Sequence, residues 1–251
     1  MTENLWNSAV KFWLEFNNSG KNVHRDFLNL PAFINILPKP RKDEYGLEIG
    51  AGEGTLARKL HELGYHFIAT DLSPQMIEEA QRNEQENPKG IQFKVENGEL
   101  LSFPDNNFDF AIAFMCLMDM SYPDRCFSEI YRVLKPGGYF QFSIIHPCFA
   151  SPPHRKHIYG EKGAKIGVEI GKYNEERMYP IKWSFPPHSE FTSLQQHLTI
   201  SHWLMLGVKV GFYLEFIAEP FATPMMVKEC AHLKHTITVP DNLLVRFRKK
   251  K

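Results

Sequence analysis

Chemistry in this chain gathers first in a short run, Leu47-Glu48-Ile49-Gly50-Ala51-Gly52-Glu53-Gly54, where an apolar stretch ends in glycines at alternate positions. Glycines there permit a tight turn through positive φ and let a ligand approach the backbone closely. The amides beyond them, opening a helix over TLARKLHELG, suit a carboxylate or a phosphate. Several nucleotide-binding folds use such a loop, so the residues around it must narrow the choice. The dinucleotide fingerprint G-x-G-x-x-G wants its third glycine at position 55, which here is Thr55. Glu48, two residues ahead of the first glycine, would repel a pyrophosphate and attract an ammonium group. Asp71, closing the apolar run in FIATDLSPQM, can accept hydrogen bonds from both hydroxyls of a ribose. The implied ligand carries a cationic amine and a ribose and needs no phosphate site. S-adenosylmethionine meets that description better than NAD.

These residues must be held by strands and helices in alternation. From Tyr45 to Ile145, short apolar runs (YGLEIG, HFIATD, IQFKVE, FDFAIAF, GYFQFSII) are separated by longer amphipathic stretches. That rhythm predicts βαβ units and a parallel sheet covered on both faces. Ser73-Pro74 reads as an N-cap with proline in the first helical turn. Ahead of this core, Leu5, Ala9, Phe12, Trp13 and Phe16 recur at helical spacing; NNSGK breaks the pattern before a second helix from Phe27 to Leu37. After Ile145 the rhythm changes. Residues 147–190 are rich in Pro, Gly, His, aromatics and charge, which in a compact domain reads as a functional cap. A helix near 196–210, strands over FYLEFIAEP and LLVRFR, and a short helical piece at 224–233 complete the chain.

In order and spacing, EIGAGEGTLARKL, ATDLSPQMIEEA, ENGELLSFPDNNFDFAIA and RVLKPGGYF resemble the successive motifs of class I S-adenosylmethionine-dependent methyltransferases. The resemblance spans residues 44–145 and is nearest the small-molecule branch typified by quinone-biosynthesis enzymes; HLTISHWLMLGVKVGFYLEFIAEP is similar to the final helix-strand unit of that branch. It implies an α/β fold with a doubly wound, Rossmann-like seven-stranded sheet whose last strand is antiparallel. On this expectation residues 1–251 form one methyltransferase domain: a helical N-terminal lid over 1–40, a cofactor-binding core over 44–146, the cap insertion after strand five over 147–190, and C-terminal helix and strands over 191–251. The resemblance sets S-adenosyl-L-methionine as cofactor, its methionine portion against Glu48, Gly50, Ala51 and Gly52. Asp71 takes the ribose, Leu72 and Met76 line an adenine face, Asn97, Gly98 and Glu99 meet the adenine edge, and Met115 lends backbone near the methionine end. One departure is Asn97, where the family usually carries Asp.

Methyl transfer from a sulfonium needs alignment and exclusion of water more than a fixed catalytic set, and a base only where the nucleophile must shed a proton. Asp119 and His146, just past strands four and five, stand at the crevice edge of a doubly wound sheet and are the candidate catalytic residues. His197 is a further candidate for the pocket, and His202 is expected at the surface. Trp6, Phe12, Trp13, Tyr159, Tyr173, Tyr179, Trp183 and Phe185 can form an aromatic lid favouring a flat or apolar acceptor. Cys148, His154 and His157 lack a fourth ligand, so no metal is expected.

The bulk properties limit the partners. Lys+Arg and Asp+Glu both total 29, whereas gripping a polyanion usually takes a basic excess. Nucleic acid is therefore not the expected partner; the basic run from Arg246 to Lys251 reads as a solvated tail. Four cysteines without a CxxC pair, no signal-peptide pattern and no apolar run of bilayer length suggest a cytoplasmic protein without a membrane anchor. The expected function is methyl transfer to a small-molecule O, N or C nucleophile. The competing readings are a tRNA-base methyltransferase and a non-catalytic S-adenosylmethionine-binding regulatory module.

Overall fold

The computed structural model describes residues 2–150, 154–163, 165–184 and 190–251. Seven strands form one sheet: β1 (Gly46–Ile49), β2 (Phe67–Asp71), β3 (Gln92–Val95), β4 (Phe108–Phe114), β5 (Leu134–Ile145), β10 (Phe212–Ala218) and β11 (Asn242–Lys249). Their order across the sheet is β10-β11-β5-β4-β1-β2-β3. β11 runs antiparallel to both its neighbours, and the other pairings are parallel. This is the expected sheet with its antiparallel last strand.

Side-chain alternation explains how the sheet is covered on both faces. Along β4, Phe108, Ala111 and Ala113 join a core built with α5 (Pro123–Val133) and α6 (Ile200–Val210), through Phe127, Ile130, Trp203 and Leu206. Phe110 and Ile112 point the other way, against Leu30 and Phe33 of α2 (Leu30–Asn35) and Leu56 and Leu60 of α3 (Thr55–Glu62). Ser73 caps α4 (Pro74–Glu86) by accepting from Met76 N at 3.2 Å, as Ser-Pro predicted.

The N-terminal preamble is helical and broken where expected: α1 (Thr2–Asn18), then a π-helical turn at Arg25–Asn29 that runs into α2. Two polar groups stitch the preamble to the sheet, Gln141 Nε2 donating to Phe33 O at 2.8 Å and Ser143 Oγ to Asn29 Oδ1 at 2.8 Å. Two more bind α1 down over the glycine turn: Asn17 Nδ2 donates to Glu53 Oε1 at 2.9 Å, and Ser73 Oγ to Asn7 Oδ1 at 2.6 Å.

The cap is built of two hairpins, β6 (His154–Tyr159) with β7 (Lys165–Gly171) and β8 (Arg177–Ser184) with β9 (Glu190–His197). It therefore reaches past position 190, and the helix expected near 196 begins at Ile200. The reason is polar burial: β9 turns Phe191, Ser193, Gln195 and His197 inward, so its period-two signal is not hydrophobic. Phe191 packs on Ala9 and Phe12 of α1, which joins the cap to the preamble. The remaining element, α7 (Pro224–Glu229), precedes a 3-10 turn at Ala231–Ile237.

Candidate active site

At the carboxyl ends of β1, β2 and β4 the sheet opens into a cavity of about 780 Å³, closed over by the preamble and the cap. Its floor is the glycine turn. Gly50 and Gly52 hold φ of 69° and 57°, and a Cβ on Gly50 would lie 2.4 Å from that of Cys116. Only glycine fits there.

Glu48 sits beneath this turn, 1% exposed, with Oε2 buried and lacking a hydrogen-bond partner among the described residues. Burial, reinforced by the charges of Asp71 and Glu53, pushes its pKa up to about 8. Asp71 ends β2 and is pinned by two backbone donors, Gly52 N to Oδ2 at 2.8 Å and Ser73 N to Oδ1 at 2.9 Å. Each oxygen keeps a lone pair for a ligand hydroxyl. Burial also raises the Asp71 pKa, against those same backbone hydrogen bonds.

Met115 leaves β4 with φ of 57°, a left-handed conformation rare outside glycine and asparagine, and swings residues 116–120 over the cavity. That turn delivers Asp119, 7% exposed, its Oδ1 without a partner among the described residues. Burial first, and the charge of Asp71 second, lift its pKa well above the usual carboxylate range.

Glu48, Gly50, Ala51, Gly52, Asp71, Leu72, Met76, Asn97, Gly98, Glu99, Met115 and Asp119 all line this one cavity. Asn97 Oδ1 accepts from Glu99 N at 2.9 Å, and Glu99 Oε1 accepts from Tyr122 N at 2.9 Å.

His146 requires correction. It is wholly buried and does not line the cavity. Its Nδ1 accepts from Cys148 N at 3.2 Å and Phe149 N at 3.4 Å, and Nε2 faces Glu219 Oε1 at 2.7 Å. With Nδ1 an acceptor, Nε2 carries the hydrogen and donates it to Glu219, so no lone pair is left for a base. Its neighbour Ile145 lines the cavity, and strand alternation turns the next side chain away. His197, on β9, holds Tyr173 O at 2.8 Å, and His202 holds Glu176 Oε2 at 2.7 Å; neither reaches the cavity. Of the candidate lid aromatics, Trp6, Trp13 and Trp183 line it; Phe12, Tyr159, Tyr173 and Tyr179 do not, and Phe185 lies outside the described residues.

Sequence reasoning missed the far wall. His24 from the preamble, Arg155 and His157 from β6, Lys165 from β7, His235 and Asp241 all line it. Asp241 gathers them, with His235 Nε2 at 2.8 Å and His24 Nδ1 at 3.3 Å from Oδ2, and Arg155 Nη2 at 3.3 Å from Oδ1. No local motif joins residues so far apart in the chain. Cys148 and His154 stand outside the cavity, and the side chains that come within reach of one cation are instead His24, His235 and Asp241.

Comparison with known proteins places this geometry. Residues 47–142 match a family model described as a methyltransferase domain. A demethylmenaquinone methyltransferase of Tropheryma whipplei is 34% identical over 116 residues, 45% of this chain and 47% of that protein. Phosphoethanolamine N-methyltransferase 2 of Caenorhabditis elegans is 34% identical over 94 residues, 37% of this chain and 22% of that protein. The chain thus spans less than half the length of these curated relatives. A crystal structure of an S-adenosylmethionine-dependent methyltransferase from Mesorhizobium loti superposes with a TM-score of 0.74 at 25% identity, covering 87% of this chain and 96% of that one. Residues 47–142 are thus similar to a methyltransferase domain, and the chain as a whole resembles class I S-adenosylmethionine-dependent methyltransferases, quinone-biosynthesis enzymes among them.

Proposed function

We propose that this protein transfers a methyl group from S-adenosyl-L-methionine to an O, N or C nucleophile of a small molecule. The observation that carries the reading is the pair of buried carboxylate oxygens, Glu48 Oε2 and Asp119 Oδ1, that face the cavity with no donor among the described residues. Buried acids without donors are costly unless a cation or a proton meets them, and the cofactor brings an ammonium and a sulfonium. Bound, it would supply an activated methyl group whose transfer extinguishes the sulfonium charge.

In this reading Glu48 holds the ammonium over the glycine turn and Asp71 accepts from the ribose hydroxyls, while Leu72 and Met76 flank the base. Trp6, Trp13 and Trp183 exclude water above the reacting atoms. Asp119, with a raised pKa and an Oδ1 without a partner among the described residues, takes the proton when the nucleophile must lose one. No helix among the described residues is long and apolar enough to cross a membrane, and the neutral composition favours a small acceptor over a polynucleotide.

Two measurements test the reading. Calorimetry should detect binding of S-adenosylhomocysteine, and labelled S-adenosylmethionine should pass its methyl to a component of a metabolite extract. A protein that ignores both cofactor forms yet binds a pyrophosphate nucleotide would refute it. Binding without transfer would favour the regulatory module.

A further inference from the structure

The cavity lining carries two groups of charge. Glu48, Asp71, Asp119 and Glu99 come from the strand ends and turns of the main sheet, whereas Arg155, Lys165, His24, His157 and His235 come from other elements, with one acid, Asp241, among them. That acid is committed to His235, His24 and Arg155. Glu53, the other nearby carboxylate, accepts from Asn17 and Thr55 and lies 4.0 Å from Arg25.

The tautomer of His157 can be deduced. Arg155 Nη1 lies 3.3 Å from His157 Nε2, and a guanidinium can only donate, so Nε2 is the acceptor. The ring hydrogen of the neutral imidazole must then sit on Nδ1. Burial first, then the charges of Arg155 and Lys165, holds the His157 pKa down at about 4, so the ring is neutral near pH 7. This Nδ1–H is buried and has no acceptor among the described residues. His24 Nδ1 is likewise buried, 3.3 Å from Asp241 Oδ2. Lys165 lines the same wall and has no ion-pair partner among the described residues. An unsatisfied buried donor with two cations nearby asks for an anionic oxygen.

We propose that this wall is a subsite for an anionic oxygen group, a carboxylate or a phosphate, carried by an apolar methyl acceptor. The proposal rests on the methyltransferase reading for the acceptor's reaction, but the subsite itself is built from cap and terminal residues. The group would accept from His157 Nδ1–H and pair with Lys165 and the outer edge of Arg155. Trp6, Trp13 and Trp183, which line the same cavity, would take the acceptor's apolar body. A divalent cation on His24, His235 and Asp241 is the competing use of the wall, and Arg155 on the same carboxylate opposes it.

The test is calorimetric titration with 2-naphthoate, phenyl phosphate and 2-naphthamide, on the free protein and on its complex with S-adenosylhomocysteine. The acids should bind at least about ten-fold more tightly than the amide, the scale of a hydrogen bond to a charged group. Lys165→Gln and His157→Phe should each remove about that factor for the acids, leaving the amide and S-adenosylhomocysteine unchanged; Lys165 lies on a hairpin outside the main core, so the fold should survive. No preference for the acids, no binding at millimolar probe, or indifference to both variants overturns the proposal. Acid binding that appears only after zinc chloride is added would make the wall a metal centre and overturn it too. Failure of S-adenosylhomocysteine to bind would instead sink the methyltransferase reading, and the free-protein titrations would still decide the subsite.

Discussion

Cofactor binding should release a proton from Glu48. The carboxyl is fully enclosed, and its pKa of about 8 means that it holds its hydrogen in the free protein at neutral pH. An ammonium group binds the charged form, so below pH 8 the affinity carries a deprotonation penalty of 1 + 10^(8 − pH). That factor falls from about 100 at pH 6 to about 2 at pH 8, so affinity for S-adenosylhomocysteine should rise about fifty-fold, roughly 2.3 kcal/mol. At pH 7 about 0.9 protons should leave per ligand, read by calorimetry in buffers of different ionisation enthalpy. Asp71 and Asp119 are raised as well and act in the same direction, so Glu48→Gln is the variant that isolates the effect. It should bind more weakly at pH 8 and lose most of the slope. The same variant reports on stability. The folded-state pKa of Glu48 lies above its ordinary value of 4.5, so its contribution is complete below that value and disappears as pH rises through about 8. Ligand-free Glu48→Gln should therefore gain in Tm over the parent between pH 5 and pH 9. Affinity that is flat from pH 6 to pH 8, or a slope that survives in Glu48→Gln, would refute the assignment.

Three other outcomes follow from the geometry. Asp71→Ala should weaken S-adenosylhomocysteine by about 1–3 kcal/mol by calorimetry, because it removes both the ribose acceptor and the anchor for Gly52 N and Ser73 N; unchanged affinity would remove Asp71 from the site. Gly50→Ala puts a Cβ at positive φ against Cys116; the backbone alone costs about 1–2 kcal/mol, so both Tm and binding should fall, and a neutral result would show that the turn has room to spare. His146→Gln should lower Tm by loosening the 146–150 turn and leave the pH profile of kcat/KM unchanged; loss of a limb from that profile would restore His146 to the chemistry.

What the sequence reveals here depends on how local each feature is. The glycine turn, Glu48 and Asp71 are legible because one β-turn-α unit and the strand beside it place them, and contacts between neighbours in sequence leave motifs. The sheet is legible because its strands carry apolar runs bounded by glycine and proline. His146 shows where such reading stops: its place beyond β5 is evident, but the face it takes depends on register, and one residue separates the cavity-lining Ile145 from a buried turn anchor. The cap strand β9 is obscured because Ser193, Gln195 and His197 are polar and buried together. The far wall is wholly illegible, since His24, Arg155, Lys165, His235 and Asp241 come from separate elements that only tertiary packing assembles.

The placement of the acids also bears on how transfer is achieved. A charged carboxylate held against the sulfonium would stabilise the positive charge that the reaction must extinguish, and so would favour the ground state over the transition state. The acids of the floor therefore serve best when engaged elsewhere, Glu48 on the ammonium and Asp71 on the ribose. Asp119 has neither role, and burial raises its pKa, which weakens any such drag. In the proposed reaction a carboxylate of raised pKa is the stronger base for an acceptor that must give up its hydrogen. An anionic group on that acceptor, held at the proposed subsite by Lys165 and His157, would have its repulsion by these acids offset. Such a contact would orient the acceptor by its charged group, with its apolar body against the tryptophans that line the same cavity.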